Sequence, residues 1–313
     1  MDRAIVFGGS GFVGHAVVRK LVEHRVDVCA VVKPGFSDSP ERFRLEGLEI
    51  PIVECDLRDV RRLPERLPWR SADVFYQLAW EGLSGEAMTD SALQLENVKW
   101  MLDSVATAAE LGCRKFVGAG SISQDELNTP EGRMRQSDRH RIFRCAALTC
   151  EYMGPSVACS CGEIDFIWPI ISNVYGEGEL TPRLVTTLIR KLLQGESMPL
   201  STGTQNYDFI YLSDAGEAFY LLGEFGKPGR RYNIASGEGR LLKDYLTQVR
   251  DVVAPGCTLR LGENPSDVFF LEKSSFDIST LREDTDFSPE VPFAEGIRRT
   301  ARWIREKNAH GET

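Results

Sequence analysis

Through the first half of the chain, short apolar runs rich in β-branched residues alternate with longer stretches whose apolar positions recur at helical spacing. The runs predict strands over 4–7, 28–32, 50–53, 74–78, 115–117 and 165–167. The stretches predict helices over 11–24, 93–111 and 143–153, the second carrying Leu95, Val98, Leu102, Val105 and Ala109 on one stripe. That stripe suits either a core face or a dimer seam. Strand and helix taking turns in this way predict an α/β fold, a doubly wound parallel sheet covered by helices on both faces. From about residue 173 the pattern loosens into mixed helices and short strands, with a clear helix over 184–193 and glycine-rich turns around Gly203 and Gly237. This predicts a smaller C-terminal α/β part. The absence of an internal repeat or low-complexity linker predicts close packing and a site in the cleft between the parts.

Composition narrows the class. The 313 residues are 42% hydrophobic and 27% charged, enough to bury a core and unlike a disordered or collagenous chain. No apolar run reaches the roughly 18 residues of a membrane helix, and the opening MDRAIVFGG has no basic segment ahead of an apolar one. The expected address is the cytoplasm, with no membrane partner. A net charge of −9 without a long basic run argues against nucleic acid as a partner. The eight Cys (29, 55, 113, 145, 150, 159, 161 and 257) form no CxxC pair and have no His at ligand spacing. They read as free structural thiols, with no metal site. Cys145 and Cys150 lack a nearby base in sequence that would make either a nucleophile.

The most specific motif is Gly8-Gly9-Ser10-Gly11-Phe12-Val13-Gly14, directly after the first strand and opening the first helix. It satisfies GxGxxG through Gly9, Gly11 and Gly14, and GxxGxxG through Gly8, Gly11 and Gly14. Glycine permits a tight turn and close backbone approach to a pyrophosphate, which the free N–H groups and positive dipole end of a helix then hold. A merely tight turn is the alternative. The predicted fold becomes a Rossmann domain for NAD(P) over 1–172, with 205–235 returning to it, and a mainly substrate-binding domain over 173–313. At the end of the second strand, where an acidic residue would take the ribose 2′-OH of NAD, stands Lys33. As a cation for a 2′-phosphate it favours NADP over NAD; as a solvated loop lysine it favours neither. Asp56, ahead of Leu57 after the third strand, can accept a hydrogen bond from an adenine amino group.

With these features, the segment Phe75-Tyr76-Gln77-Leu78-Ala79 makes the chain resemble the extended short-chain dehydrogenase/reductases. Within them it is most similar to the NAD(P)-dependent sugar-nucleotide epimerase, dehydratase and reductase family. Asn97, the segment Ser172-Asn173-Val174-Tyr175-Gly176, the stretch from Gln205-Asn206-Tyr207 to Asp214, and Tyr232-Asn233-Ile234-Ala235-Ser236-Gly237 carry the likeness through nearly the whole length. The resemblance implies a dinucleotide held by residues 8–14, Lys33, Asp56, Leu57, Leu78 and Ala79. It implies a nucleoside-diphosphate sugar held near Ser121, Asn173, Arg183 and Tyr207, and a homodimer through the helices at 93–111 and 143–153. Arg183 reads equally as a surface arginine at a helix start.

The family's chemistry uses a Tyr and a Lys four residues apart on one helix: the lysine lowers the tyrosine pKa, and the tyrosine moves the proton while the nicotinamide moves the hydride. A Ser or Thr shares the substrate hydroxyl, and Ser121 stands at that position. Anchoring the helix on Glu151 puts Phe143 at the tyrosine position and Ala147 at the lysine position. The residues four after the eight tyrosines are Trp80, Ser156, Glu179, Tyr211, Ala215, Glu224, Ser236 and Val249, so no YxxxK exists in any register. Gln77 replaces the usual His, Tyr207 a common Arg, and apolar residues over 168–171 another. Tyr76, Tyr152, His140 and Cys145 are candidate substitutes for the lost proton carrier. Two readings stand: a divergent enzyme with non-standard or reduced catalysis, or an inactive relative acting as a dinucleotide or sugar-nucleotide sensor or partner subunit.

Overall fold

The computed structural model describes residues 1–130, 132, 140–264 and 271–309. Six strands, β1 (Arg3–Phe7), β2 (Asp27–Val32), β3 (Ile52–Glu54), β4 (Val74–Gln77), β5 (Lys115–Val117) and β6 (Asp165–Ile167), form one parallel sheet in the order β3-β2-β1-β4-β5-β6. This is the Rossmann order, whose reversal beside β1 leaves a crevice at the strands' carboxyl ends. Phe75 on β4, Phe116 on β5 and Phe166 on β6 lie in register and stack with centroids 5.9 and 5.6 Å apart. Trp168 continues the ladder 5.9 Å beyond Phe166. Such flat aromatic faces fill the layer between sheet and helix.

Helices α1 (Phe12–Glu23), α2 (Ser91–Glu110) and α3 (Arg141–Gly162) belong with this sheet. Asp90 caps α2 by accepting from Ala92 N at 3.0 Å and Leu93 N at 3.2 Å, so the helix starts before the hydrophobic stripe does. Helix α3 runs well past the predicted end at 153, through Pro155. Its second half is held by packing: a Cβ at Gly154 would strike the Phe166 ring, and Ala158 is buried. Tertiary contact here outweighs the lost N–H and ring crowding that make Gly-Pro read as a stop.

Contacts divide the chain into two compact units, Met1–Ile171 with Ala215–Tyr232 and Ser279–Phe287, and Ser172–Asp214 with Asn233–Ile278 and Ser288–Thr313. Of residues 205–235, predicted to return to the first unit, 215–232 lie in it and 205–214 and 233–235 lie in the second; 279–287, predicted for the second, lie in the first. In the second unit β7 (Asn173–Tyr175) pairs in parallel with β8 (Phe209–Tyr211). Helices α4 (Leu184–Leu193), α5 (Leu212–Phe225, mostly in the first unit), α6 (Leu242–Val253), α7 (Ser279–Thr285, first unit) and α8 (Phe293–Ala309) complete the described helices beyond α3. Tyr175, Phe209, Tyr245 and Phe293 interlock as the aromatic centre of the second unit, and the Tyr175 hydroxyl donates to the Phe293 carbonyl at 3.1 Å.

Candidate functional site

The glycine segment that joins β1 to α1 is tied to the end of β2: Gly8 N and Gly9 N both donate to the Val31 carbonyl, at 2.9 and 3.0 Å. Gly8 has φ 85°, and a Cβ there would lie 2.8 Å from Ala79 N, so the residue after Leu78 abuts the loop. A Cβ at Gly14 would strike the Gly8 carbonyl oxygen. The two outer glycines thus allow the turn and the helix to close on each other. Gly11 is different: a Cβ there meets only Gly8 O within 4 Å, at 3.1 Å. Gly11 caps α1 without a side-chain acceptor, so the first-turn N–H groups starting at Phe12 and Val13 have no side-chain partner. Helix-start N–H groups without a side-chain cap suit an anion.

Around this loop the charges are paired. Arg44, 3% exposed, donates to the Ser10 carbonyl at 2.8 Å, sits 3.3 Å from Glu41, and lies 5.9 Å over the Phe12 ring. The Ser10 hydroxyl donates to Glu41 at 3.4 Å. Lys33 is in an ion pair of 2.9 Å with Glu81. His15 Nδ1–H donates to the Gly11 carbonyl at 3.1 Å, the only tautomer a carbonyl permits. Burial, with the Arg44 and Arg19 charges nearby, pushes its pKa down to about 4. Asp56 is engaged locally: it caps the following 3-10 helix by accepting from Arg58 N at 3.0 Å, and Leu57 is buried behind it.

Beyond β5, Ser121 opens the 3-10 helix Ile122–Asn128 with a reciprocal cap: Ser121 Oγ accepts from Ser123 N at 3.3 Å, and Gln124 Oε1 accepts from Ser121 N at 3.1 Å. The Gln124 amide donates to Glu151 on α3. Arg231 joins Asp125 at 2.5 Å and Glu151 at 3.7 Å. Burial pushes both carboxyl groups up, against the pull of Arg231.

Phe143, Ala147 and Glu151 lie four apart along α3 and so share a face. The Phe143 ring meets Trp80 edge-on, 5.7 Å between centroids at 81°, and Ala147 is 3% exposed. The candidate substitutes lie elsewhere: Tyr76 is fully buried with its hydroxyl 3.8 Å from Met1 Sδ, Tyr152 is 72% exposed, His140 precedes the first residue of α3, and Cys145 faces solvent. Burial raises the thiols of Cys29 and Cys113 to about 12 and Cys55 to about 11, and pushes Cys150 up as well.

In the second unit Asn173 Nδ2 donates to the Asp208 carbonyl at 3.0 Å. The Asp208 carboxylate, fully buried, accepts from Ser172 Oγ at 3.0 Å, Ser236 N at 2.8 Å and Ser236 Oγ at 2.7 Å. Tyr207 stands opposite Arg240 in an antiparallel pair, and the Arg240 guanidinium lies 4.0 Å over the Tyr245 ring. The structure therefore ties Asn173 to Asp208 and pairs Tyr207, the residue before Asp208, with Arg240. Arg183, at the start of α4 and 61% exposed, stands apart from them, 4.0 Å from Glu179.

Glu41, Arg44, Glu81 and Arg240 were not singled out by motif. Only the i,i+3 spacing of Glu41 and Arg44 could have signalled their pair. Among the described residues no group of three or more His, Cys, Asp or Glu could hold a metal ion, and no helix is long and apolar enough to cross a membrane.

Comparison with known proteins gives the same architecture. A probable dTDP-glucose 4,6-dehydratase of Sinorhizobium fredii is 24% identical over 97% of this chain and 93% of its own length. Another dTDP-glucose 4,6-dehydratase, from Haemophilus influenzae, is 20% identical over 97% and 98%. Among solved structures, the Bordetella bronchiseptica enzyme WbmF in complex with NAD+ and UDP superposes with a TM-score of 0.78 at 23% identity, covering 99% of this chain and 93% of that one. The UDP-N-acetylglucosamine 4-epimerase of Methanobrevibacter ruminantium M1 gives 0.78 at 21%, covering 98% of each. The family model for NAD dependent epimerases/dehydratases matches residues 4–235, from β1 and its glycine loop past Ser121 and Asn173 to the turn at Ala235. By that match the chain belongs to the NAD dependent epimerase/dehydratase family, whose members act on nucleotide sugars, on a Rossmann fold.

Proposed function

We propose that the protein binds NAD(P) in its first unit and a nucleoside-diphosphate sugar through its second, with catalysis that is non-standard or reduced. The observation that carries this reading is the contrast between two parts of one unit. The loop over 8–14 keeps bare Cα atoms and uncapped N–H groups, the features a pyrophosphate needs. The helix face that would carry the proton shuttle presents Phe143 packed on Trp80, and Ala147. When bound, a nicotinamide supplies hydride transfer. The backbone N–H groups of Phe12 and Val13 would hold the diphosphate, Ala79 would wall the loop, and Asp56 and Leu57 would lie toward the adenine. Asn173 and Tyr207 would orient the sugar nucleotide, with Arg183 as a phosphate contact reached only from the surface. Ser121 Oγ would hold a substrate hydroxyl, yet it has no neighbouring phenolate to pass the proton to. Loss of a positioned general acid/base lowers rates about 10²- to 10⁴-fold.

The buried, apolar surroundings of Phe143 also favour a second reading, a sensor or partner subunit that binds without turnover. Titration with NADH and NADPH by calorimetry or fluorescence tests the shared part: failure to bind either at millimolar concentration sinks it. Turnover of a nucleoside-diphosphate sugar by the wild-type protein then decides between the readings. The two exposed faces of α2 and α3, carrying Leu95, Tyr152 and Met153, support a homodimer as the working form.

A further inference from the structure

Strand β1 lies between β2 and β4, so residues just beyond the carboxyl ends of β2 and β4 flank the glycine loop on either side. Lys33 follows β2 directly, and Glu81 comes shortly after β4. Their 2.9 Å ion pair joins the segments that follow β2 and β4, the two neighbours of β1. Glu81 is not presented by a loose segment. Its N–H donates to Asn97 Oδ1 and its carbonyl accepts from Asn97 Nδ2, both at 2.9 Å, and Asn97 is 2% exposed. The preceding Trp80 is tied by its indole N–H to Gln94 at 2.8 Å. The backbone that aims the Glu81 carboxylate at Lys33 is therefore fixed from α2. Arg44, buried beside Ser10, is matched by Glu41, while Glu54 at the end of β3 accepts from Phe36 N at 3.1 Å and its carbonyl accepts from Arg66 at 3.1 Å.

We infer that Glu81 sets cofactor choice: by engaging Lys33 it denies that cation to a ribose 2′-phosphate and makes the protein select NAD(H) over NADP(H). This rests on the dinucleotide reading of the loop. Glu81 acts as a positioning residue through Lys33 and as a fixed negative charge. A carboxylate and a phosphate dianion sharing one ammonium would stand about 6 Å apart, and their repulsion in water corresponds to about a tenfold change in affinity.

The test measures dissociation constants for NADH and NADPH by calorimetry on the wild type, Glu81→Gln and the Lys33→Ala/Glu81→Gln double variant, with folding checked by thermal melting. The wild type is expected to bind NADH more tightly. Glu81→Gln is expected to raise the ratio of NADPH to NADH affinity about tenfold, and the added Lys33→Ala to return the ratio to within about twofold of the wild type. A ratio unchanged by Glu81→Gln, or a gain that survives loss of Lys33, overturns the inference while leaving the dinucleotide site standing. A wild type that binds neither nucleotide overturns both.

Discussion

Restoring the proton shuttle as Phe143→Tyr with Ala147→Lys asks whether the site has merely lost two functional groups or has been rebuilt around their absence. Phe143 is 8% and Ala147 3% exposed. A tyrosine hydroxyl placed there without a partner costs about 1–3 kcal/mol, and fitting a lysine stem into a packed helix face costs about 1–3 kcal/mol more. The double variant should therefore be about 2–6 kcal/mol less stable than the wild type when no ligand is bound. A dinucleotide at a hundred times its dissociation constant restores about 2.7 kcal/mol through mass action. Thermal melts with and without NADH measure both quantities. If only the shuttle is missing, turnover of a 4-keto or 4-hydroxy nucleoside-diphosphate sugar should rise by about 10²-fold or more. A double variant that folds, binds NADH and turns over no faster than the wild type refutes the assignment of the deficit to these two positions. A wild type that already matches the restored variant refutes the deficit itself.

Three further outcomes follow from the same geometry. His15 is held at about 4 in the fold against 6.5 in the unfolded chain, so the unfolded state takes the proton first; the stability present above pH 6.5 is lost as pH falls toward 4, by about 2 kcal/mol at pH 5. His15→Gln keeps a donor for the Gly11 carbonyl and should lose less stability than the wild type between pH 7 and 5, as read by melting temperature. Gly14→Ala puts a methyl group against the Gly8 carbonyl and should cost about 1–3 kcal/mol, with NADH affinity falling more than about tenfold in calorimetry. The wild type should sediment as a dimer at micromolar concentration and Leu95→Glu with Tyr152→Glu as a monomer; a monomeric wild type refutes the α2–α3 interface.

What could be read from the chain alone was whatever a residue's own chemistry encodes. Glycine is the cheapest residue at φ 85° and where a Cβ would meet a carbonyl, so Gly8 and Gly14 mark the loop by identity. In-register apolar runs likewise fix a buried parallel sheet, and the six strands appear within a few residues of where the periodicity puts them. What depends on a distant partner was invisible. Gly154-Pro155 reads as the end of a helix, but Phe166 on β6 fills the gap at Gly154 and the helix continues. Asp56, by contrast, bonds locally: it caps the turn that follows it through Arg58 N, which leaves its reading as an adenine contact untouched.

Lys33 shows why this matters for function. Its position at the end of β2 is a statement about the backbone, whereas its availability is a statement about Glu81, 48 residues away. A motif scan weighs a lysine there as a free positive charge; the fold supplies the countercharge from a segment pinned by Asn97. The same logic runs the other way at Phe143 and Ala147. The loss of two functional groups is legible from spacing alone, but the edge-on contact with Trp80 shows that the ring has acquired a packing role. A face that now contributes to stability through that contact resists simple restoration. Its cost in stability and its gain in turnover are therefore separate quantities, and only measuring both separates a lapsed catalytic site from one that has become structural.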